Sequence, residues 1–302
     1  MKIVNVRTEL IPHPAFKQLL TEFELDAGIS WYNMNPKPRP CFTVELLEDF
    51  RKFGQVISQY NKAGNGRQQG ENLGYAVLTS RIRGVFSYGG DLAYFIQMLR
   101  ANFREGLSQY ARACIDAMYS CLVGYDSNIV TIALVQGDAF GGGFEAALGN
   151  HVIIAEKDAR FGLPEILFNL FPGMGAYSLL ARRLDSVRAE KLILSGRIYS
   201  ATELHEMGIV DVLAEKGTGK SAVYEYIKAQ KNKRNAFQSL LKIRQRCNPL
   251  TYDELQDVAD IWVDAAFQLG PKDLRMMERL VRSQDRRNGD SFISESSWQG
   301  SG

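Results

Sequence analysis

The chain has 302 residues, about two domains' worth at ~150 residues each, and 45% of them are hydrophobic and 11% aromatic. That content supports a large buried core and speaks against disorder as the main state, while only four cysteines in so long a chain exclude a disulfide scaffold. The 36 basic and 34 acidic residues leave a net charge of +2, which speaks against wholesale binding of nucleic acid or a membrane surface but leaves room for a local basic patch.

Residues 1–10 carry Lys2, Arg7 and Glu9 and lack the apolar run of a signal peptide, and no later stretch approaches the ~18 apolar residues of a membrane span. Cys41, Cys114, Cys121 and Cys247 form no CxxC pair and read as reduced thiols, so the expected compartment is the cytoplasm. In the first forty residues short extended runs alternate with punctuation. Asn35-Pro36-Lys37-Pro38-Arg39-Pro40 fits neither helix interior nor central strand, because proline lacks the N–H that both need. Thr43 opens a helical pattern through Val44, Leu47, Phe50 and Phe53, and residues 61–74, with four glycines, read as an exposed loop. Residues 75–78 form an apolar strand, and residues 81–86 a second extended piece that ends in Ser87-Tyr88-Gly89-Gly90-Asp91. From Asp91 the pattern is helical, with Phe103, Leu107, Tyr110, Cys114, Met118 and Leu122 at three- and four-residue steps; Cys114 and Cys121 read there as small core residues.

Residues 129–135 (IVTIALV) carry no charge and are rich in β-branched types, which predicts a strand buried on both faces. A glycine turn over 137–143, a short helix over 144–148 and a buried strand over 151–155 follow, and this alternation predicts an α/β fold. The last third reads as helical. Ser200-Ala201-Thr202-Glu203 and Thr251-Tyr252-Asp253-Glu254 have the form of capping boxes, and apolar faces run through Leu255, Val258, Trp262, Ala265 and Leu269 and then Leu274, Met277 and Leu280. The expected layout is an α/β core over 1–200, a helical region over 201–290 and a fraying tail over 291–302.

No GxSxG elbow, phosphate loop or GxGxxG after a strand occurs. His205-Glu206 lacks the second histidine of a zinc helix and no Cys/His cluster exists, so neither a metal nor a cofactor is expected. His13, His151 and His205 are scattered and read as structural, which leaves acid–base chemistry to carboxylates. Glu145 lies two residues past a triple glycine on the first turn of a helix. There it either stands beside N–H groups that can meet developing negative charge, or merely satisfies the helix dipole. Glu165 follows Pro164 twenty residues later. Two carboxylates facing one pocket would have their pKa values driven apart and one of them left protonated. The turn at 87–91 is a second source of an oxyanion-binding N–H.

Together, SYGGD (87–91), ALVQGDAFGGGFE (133–145), FGLPE (161–165), FPGMG (171–175) and ATELHEMGIV (201–210) resemble the enoyl-CoA hydratase/isomerase (crotonase) superfamily. The resemblance implies a ββα spiral core with a helical C-terminal region that closes the acyl site and assembles a homotrimer or a multiple of it. It places the oxyanion-hole amides on Gly90, with Gly89 as the one-residue alternative, and Gly142, and the catalytic acids on Glu145 and Glu165. Retention of both glutamates resembles the hydratase and dehydratase branches. The stretch 31–42 (WYNMNPKPRPCF), FGGGFEAAL and the Trp262 helix resemble the bacterial diffusible-signal-factor synthases. That likeness implies dehydration of a 3-hydroxyacyl chain on acyl carrier protein to the cis-2-enoyl thioester, then hydrolysis to the free fatty-acid signal. Glu165 would act as base and Glu145 as acid, or the reverse. Met174, Trp262 and Leu280 are the expected wall of the acyl tunnel. Lys231, Lys233, Arg234, Lys242, Arg244 and Arg246 form either a dock for the acidic carrier or a solvated face. A regulatory signalling protein is a further expected partner. The rival readings are a CoA-dependent enoyl hydratase and a non-catalytic acyl- or partner-binding protein.

Overall fold

The computed structural model describes residues 15–63 and 72–296, the last ten of these by their backbone alone. His13 and most of the 61–74 loop lie outside the described residues. An antiparallel pair, β1 (Leu19–Glu24) and β2 (Ile29–Met34), opens the chain, followed by α1 (Val44–Ala63), which takes in the first three residues expected as loop. Three turns of a spiral come next. The first is β3 (Tyr75–Ser80), β4 (Val85–Ser87), α2 (Leu92–Arg100) and α3 (Arg104–Leu122). The second is β5 (Val130–Val135), β6 (Asp138–Phe140) and α4 (Gly142–Leu148), and the third is β7 (Val152–Glu156), β8 (Arg160–Gly162) and a 3-10 turn over Pro164–Phe168.

Each turn contributes one long strand to a six-stranded sheet of order β1-β2-β3-β5-β7-β10 and one short strand to a second sheet of order β4-β6-β8-β9. From β2 to β10 the long strands are parallel, and β4, β6 and β8 are parallel to one another. Strand alternation gives the large sheet two apolar faces. One carries Trp31, Val77, Ile132 and Ile154; the other carries Tyr32, Leu78, Ala133 and Ile153 and faces the main core.

The chain continues through α5 (Ala176–Arg183), α6 (Ser186–Ser195), β9 (Ile198–Ser200), α7 (Ala201–Glu206), β10 (Val212–Ala214), α8 (Gly219–Gln230), α9 (Arg234–Cys247), α10 (Tyr252–Ala266) and α11 (Pro271–Ser296). Helices α8 and α9 cover the Trp31 face of the large sheet through Val223, Phe237 and Leu241, whereas α10 and α11 pack on the main core through Leu255, Trp262 and Met277.

Several expectations need correction. Residues 81–84 bend rather than extend, so the second strand starts at Val85. The helical run after Asp91 is two helices, broken where Asn102 takes a left-handed φ of 49°. The glycine turn after β5 contains a strand of its own, β6, and α4 starts at Gly142 rather than at 144. The last third is not wholly helical, since β10 pairs with β7 at the sheet edge. Of the tail expected over 291–302, residues 291–296 belong to α11 and 297–302 lie outside the described residues. The Ser200 box is complete, with Ser200 Oγ accepting from Glu203 N–H (3.2 Å) and Ser200 N–H donating to Glu203 Oε2 (2.8 Å). The Thr251 box is half-formed: Arg182 draws the Glu254 carboxylate away with bonds of 2.8 and 2.6 Å.

Candidate active site

The small sheet explains why distant motifs meet. Gly90 follows β4, Gly142 follows β6 and Glu165 follows β8, so three adjacent parallel strands deliver three successive turns to one edge at their carboxyl ends. That edge is where parallel α/β structures leave room for ligands. A cavity of about 260 Å³ opens there, and Gly90, Gly142, Glu145, Glu165, Met174, Trp262 and Leu280 all line it. The structure thus brings together every residue singled out from the sequence for the site.

The backbone is packed to its limit around the two amides. Gly89 has φ +86°, and a Cβ there would lie 2.6 Å from Gly142 N and 2.8 Å from Phe140 O. Only glycine fits, both for its left-handed backbone and for this approach. Gly89 N–H donates to Ser87 Oγ (3.1 Å), whereas no bond takes up Gly90 N–H among the described residues. Gly142 is the first residue of α4, so its N–H has no acceptor within the helix. Gly141, at φ +54°, leaves room for Glu165: a Cβ on it would stand 2.5 Å from Glu165 Oε1.

The two carboxyl groups are held differently. Glu145 is 1% exposed, and its Oε1 accepts from Met174 N–H (2.8 Å) and Ala176 N–H (3.0 Å). The FPGMG motif therefore anchors Glu145 through its backbone. Burial pushes the Glu145 pKa up to about 7, and the two backbone N–H groups oppose that rise. Glu165 is partly exposed as a residue, yet its Oε2 is buried and has no hydrogen-bond partner. Burial first, and then the charge of Glu145, push the Glu165 pKa up to about 8. The two backbone N–H groups on Glu145, and the unpartnered oxygen of Glu165, favour ionisation of Glu145 before Glu165.

Around this pair the wall is mostly apolar, including Tyr88, Phe95, Cys114, Phe140, Leu167 and Ile198, none of which the sequence had placed here. Tyr88 and Phe140 each sit just before a glycine pair, Gly89-Gly90 and Gly141-Gly142, and that adjacency was the available signal. Cys114 lines the cavity instead of serving only as core, and burial raises its thiol pKa, which keeps it protonated. Leu167 and Ile198 are each 51% exposed and mark the open end. Leu280, Ser283 and Gln284 of α11 and Trp262 of α10 form the cover.

The basic run lies elsewhere. Phe237 and Leu241 of α9 pack on the far face of the large sheet, and Lys242 and Arg244 line a second cavity of about 830 Å³. Arg234 is turned inward over the Tyr75 ring at 5.8 Å. No group of three or more His, Cys, Asp or Glu among the described residues is placed to hold a metal ion, and no described helix is long and apolar enough to cross a membrane.

Comparison with known proteins agrees with this geometry. The chain is 25% identical to the probable enoyl-CoA hydratase 2, mitochondrial, of Arabidopsis thaliana over 93% of its own length and 84% of the relative's. It also matches longer proteins, spanning 18% of the Arabidopsis thaliana peroxisomal fatty acid beta-oxidation multifunctional protein MFP2. The enoyl-CoA hydratase of Bacillus halodurans superposes with a TM-score of 0.70 at 20% identity, over 87% of this chain and 100% of that one. Pseudomonas aeruginosa DspI superposes with a TM-score of 0.61 at 23% identity, over 82% and 94%. Residues 55–258, more than half of the chain and the stretch that holds Gly90, Gly142, Glu145 and Glu165, match the enoyl-CoA hydratase/isomerase family model, and the chain belongs to that family.

Proposed function

We propose that this protein is a 3-hydroxyacyl thioester dehydratase and thioesterase. It takes a 3-hydroxyacyl chain from acyl carrier protein and releases a free cis-2-unsaturated fatty acid that serves as a diffusible signal. The observation that carries the reading is that the carboxyl groups of Glu145 and Glu165 face one mostly apolar cavity beside the amides of Gly90 and Gly142. The thioester oxygen sits on the N–H groups of Gly90 and Gly142, which lowers the cost of charge on that oxygen. Glu145, ionised, takes the α-proton. The β carbon–oxygen bond breaks, and the departing hydroxyl takes the proton of Glu165 and leaves as water. The pair starts and ends with one proton. For hydrolysis the roles exchange: Glu165, now ionised, takes a proton from a water that adds to the carbonyl carbon, the oxyanion rests on the same amides, and the thiolate leaves with the proton that Glu145 acquired, which restores the starting pair. Of the two divisions of labour left open by the sequence, the hydrogen bonds at Glu145 favour the one in which it is the base.

Glu145→Gln and Glu165→Gln should each lower release of cis-2-enoic acid from 3-hydroxyacyl carrier protein by about a thousandfold, followed by mass spectrometry. Near-normal turnover in both overturns the proposal. A 3-fluoroacyl thioester separates the roles, because fluoride leaves without a proton: elimination should recover in Glu165→Gln and not in Glu145→Gln.

A second reading rests on the names of the relatives: hydration of a 2-enoyl-CoA is the first step run backwards and needs the same groups. Release of free acid from carrier-bound substrate, against reversible hydration of a CoA thioester with no acid released, decides between them. Two glutamates in the cavity disfavour a purely sequestering role.

A further inference from the structure

The proline-rich segment 35–43 has no part in the chemistry above, yet it braces the loop that carries Gly90. Tyr88 N–H donates to Pro40 O and Phe42 N–H donates to Gly89 O, both at 2.7 Å. Asp91 N–H donates to Tyr110 Oη (3.1 Å), and that hydroxyl donates to Phe42 O. The neighbouring N–H groups of the loop are thereby taken, and Gly90 N–H is the one left for a ligand.

Arg39 extends this bracing to the cover of the cavity. Its Nη2 lies 3.3 Å from Asp91 Oδ1 and its Nη1 3.2 Å from Asp285 Oδ1. Asp91 Oδ1 also caps α2, accepting from Ala93 N–H and Tyr94 N–H, one residue after Gly90. Asp285 belongs to α11 and follows Ser283 and Gln284, which line the cavity. The side chains of Arg39 and Asp91 are only 15% and 16% exposed, so water screens their contact little. A planar guanidinium with donors at both ends is suited to hold two carboxylates apart and in register, which a lysine ammonium is not.

We propose that Arg39 is a positioning residue that clasps α11 to the oxyanion loop, so that covering the acyl cavity and aiming Gly90 N–H at the thioester oxygen are one structural event. The kinetic half of this idea rests on the oxyanion reading given above; the structural half does not.

Amide hydrogen exchange on the full chain tests it. Asp285→Asn removes the negative charge from a half-exposed side chain, turning the ion pair with Arg39 into at most a neutral contact, and should leave folding intact. It should speed exchange in residues 279–286 and also in residues 88–91, to which Arg39 links Asp285. Arg39→Met should do the same more strongly and lower kcat about tenfold with little change in KM, and Arg39→Lys should recover only part of that loss. Glu278→Gln is the control. It cuts the ion pair between Arg100 of α2 and Glu278 of α11 without involving Arg39, and should speed exchange in α11 alone. Unchanged exchange in 88–91 on Asp285→Asn, or equal loosening of that loop by Glu278→Gln, overturns the clasp. The exchange result judges the clasp even if the glutamine variants of Glu145 and Glu165 were to disprove the proposed reaction.

Discussion

The cavity around Glu145 and Glu165 measures about 260 Å³, and the one between α9 and the core about 830 Å³. The larger one is rich in charge: Arg182, Arg183, Lys242, Arg244, Asp126, Asp211 and His151 all line it. Its deepest charges, however, are matched. Arg182 pairs with Glu254 through two bonds and also donates to Pro249 O. Arg183 donates to Ile209 O and Asn150 O and stands 3.6 Å from Asp211. The unpartnered atoms there belong to a neutral amide, Asn150, and to a guanidinium already bonded at both ends. In the smaller cavity the unpartnered atom is a carboxyl oxygen of Glu165, facing a second carboxyl. A buried ionisable group without a partner costs several kcal/mol, and folds keep such groups where chemistry uses them. Size alone points to the other cavity.

The sharpest way to break this contrast is a methyl group added beside each cavity. Gly89→Ala puts a Cβ 2.6 Å from Gly142 N at a left-handed position and displaces both oxyanion amides, so kcat should fall by about 10²–10³-fold. Gly208 lines the other cavity with φ +79° and open space around it. Gly208→Ala should cost about 1–2 kcal/mol of stability, seen as a shifted urea midpoint, and leave kcat unchanged. Equal effects on kcat would erase the distinction.

The two cavities should also answer pH with opposite signs. His151 is held between Thr131 and Leu122 O, and burial, aided by Arg244 and Arg183, lowers its pKa to about 4. The unfolded chain therefore binds its proton first as pH falls, and about 3 kcal/mol of stability should be lost between pH 6.5 and pH 4. His151→Gln should remove that part of the loss. Glu165 is shifted the other way, up to about 8. Its unfolded form gives up its proton first as pH rises, so stability is lost from about pH 4.5 to pH 8. Glu165→Gln should raise the urea midpoint at pH 8 and leave it nearly unchanged at pH 4 while destroying activity, the mark of a group kept at a cost.

How far the sequence reveals the site follows from the range of the interactions. Glycine turns, capping residues and the apolar run of β5 are set by local backbone sterics and solvation, and they are readable residue by residue. The three-residue strands β4, β6 and β8 are not, because a strand that short is defined by its neighbours and not by its own period. The hold on Glu145 by the N–H groups of Met174 and Ala176 uses backbone atoms that any side chains could carry. Arg39 meets Asp285 across 246 residues, a pairing that only the folded spiral creates. Cys114 shows the same limit at one residue. Its spacing gives its helix face, but whether that face meets core or cavity depends on α10 and α11 far along the chain.

The basic run gives the smallest expected effect and the last test of the contrast. From Lys231 to Arg246 no acid occurs, which made this stretch a natural dock for an acidic carrier. Yet α9 lies on the sheet face opposite the glutamates, and a carrier bound there would have to pass its acyl chain around the sheet edge. Cations beside the open end are better placed. Arg197 lies between the lining residues Gly196 and Ile198, with its guanidinium 4.6 Å from the Tyr199 ring centroid and its side chain 54% exposed. Arg197→Gln should raise KM for a carrier-bound substrate about threefold at low salt, an effect that fades as ionic strength rises, because exposed charges act over about a Debye length. Replacing Lys242 and Arg246 together by glutamate should change kcat/KM by less than about twofold under the same conditions. A larger, salt-dependent loss from the α9 pair than from Arg197 would move the carrier to the far face and require a route around the edge strand β10.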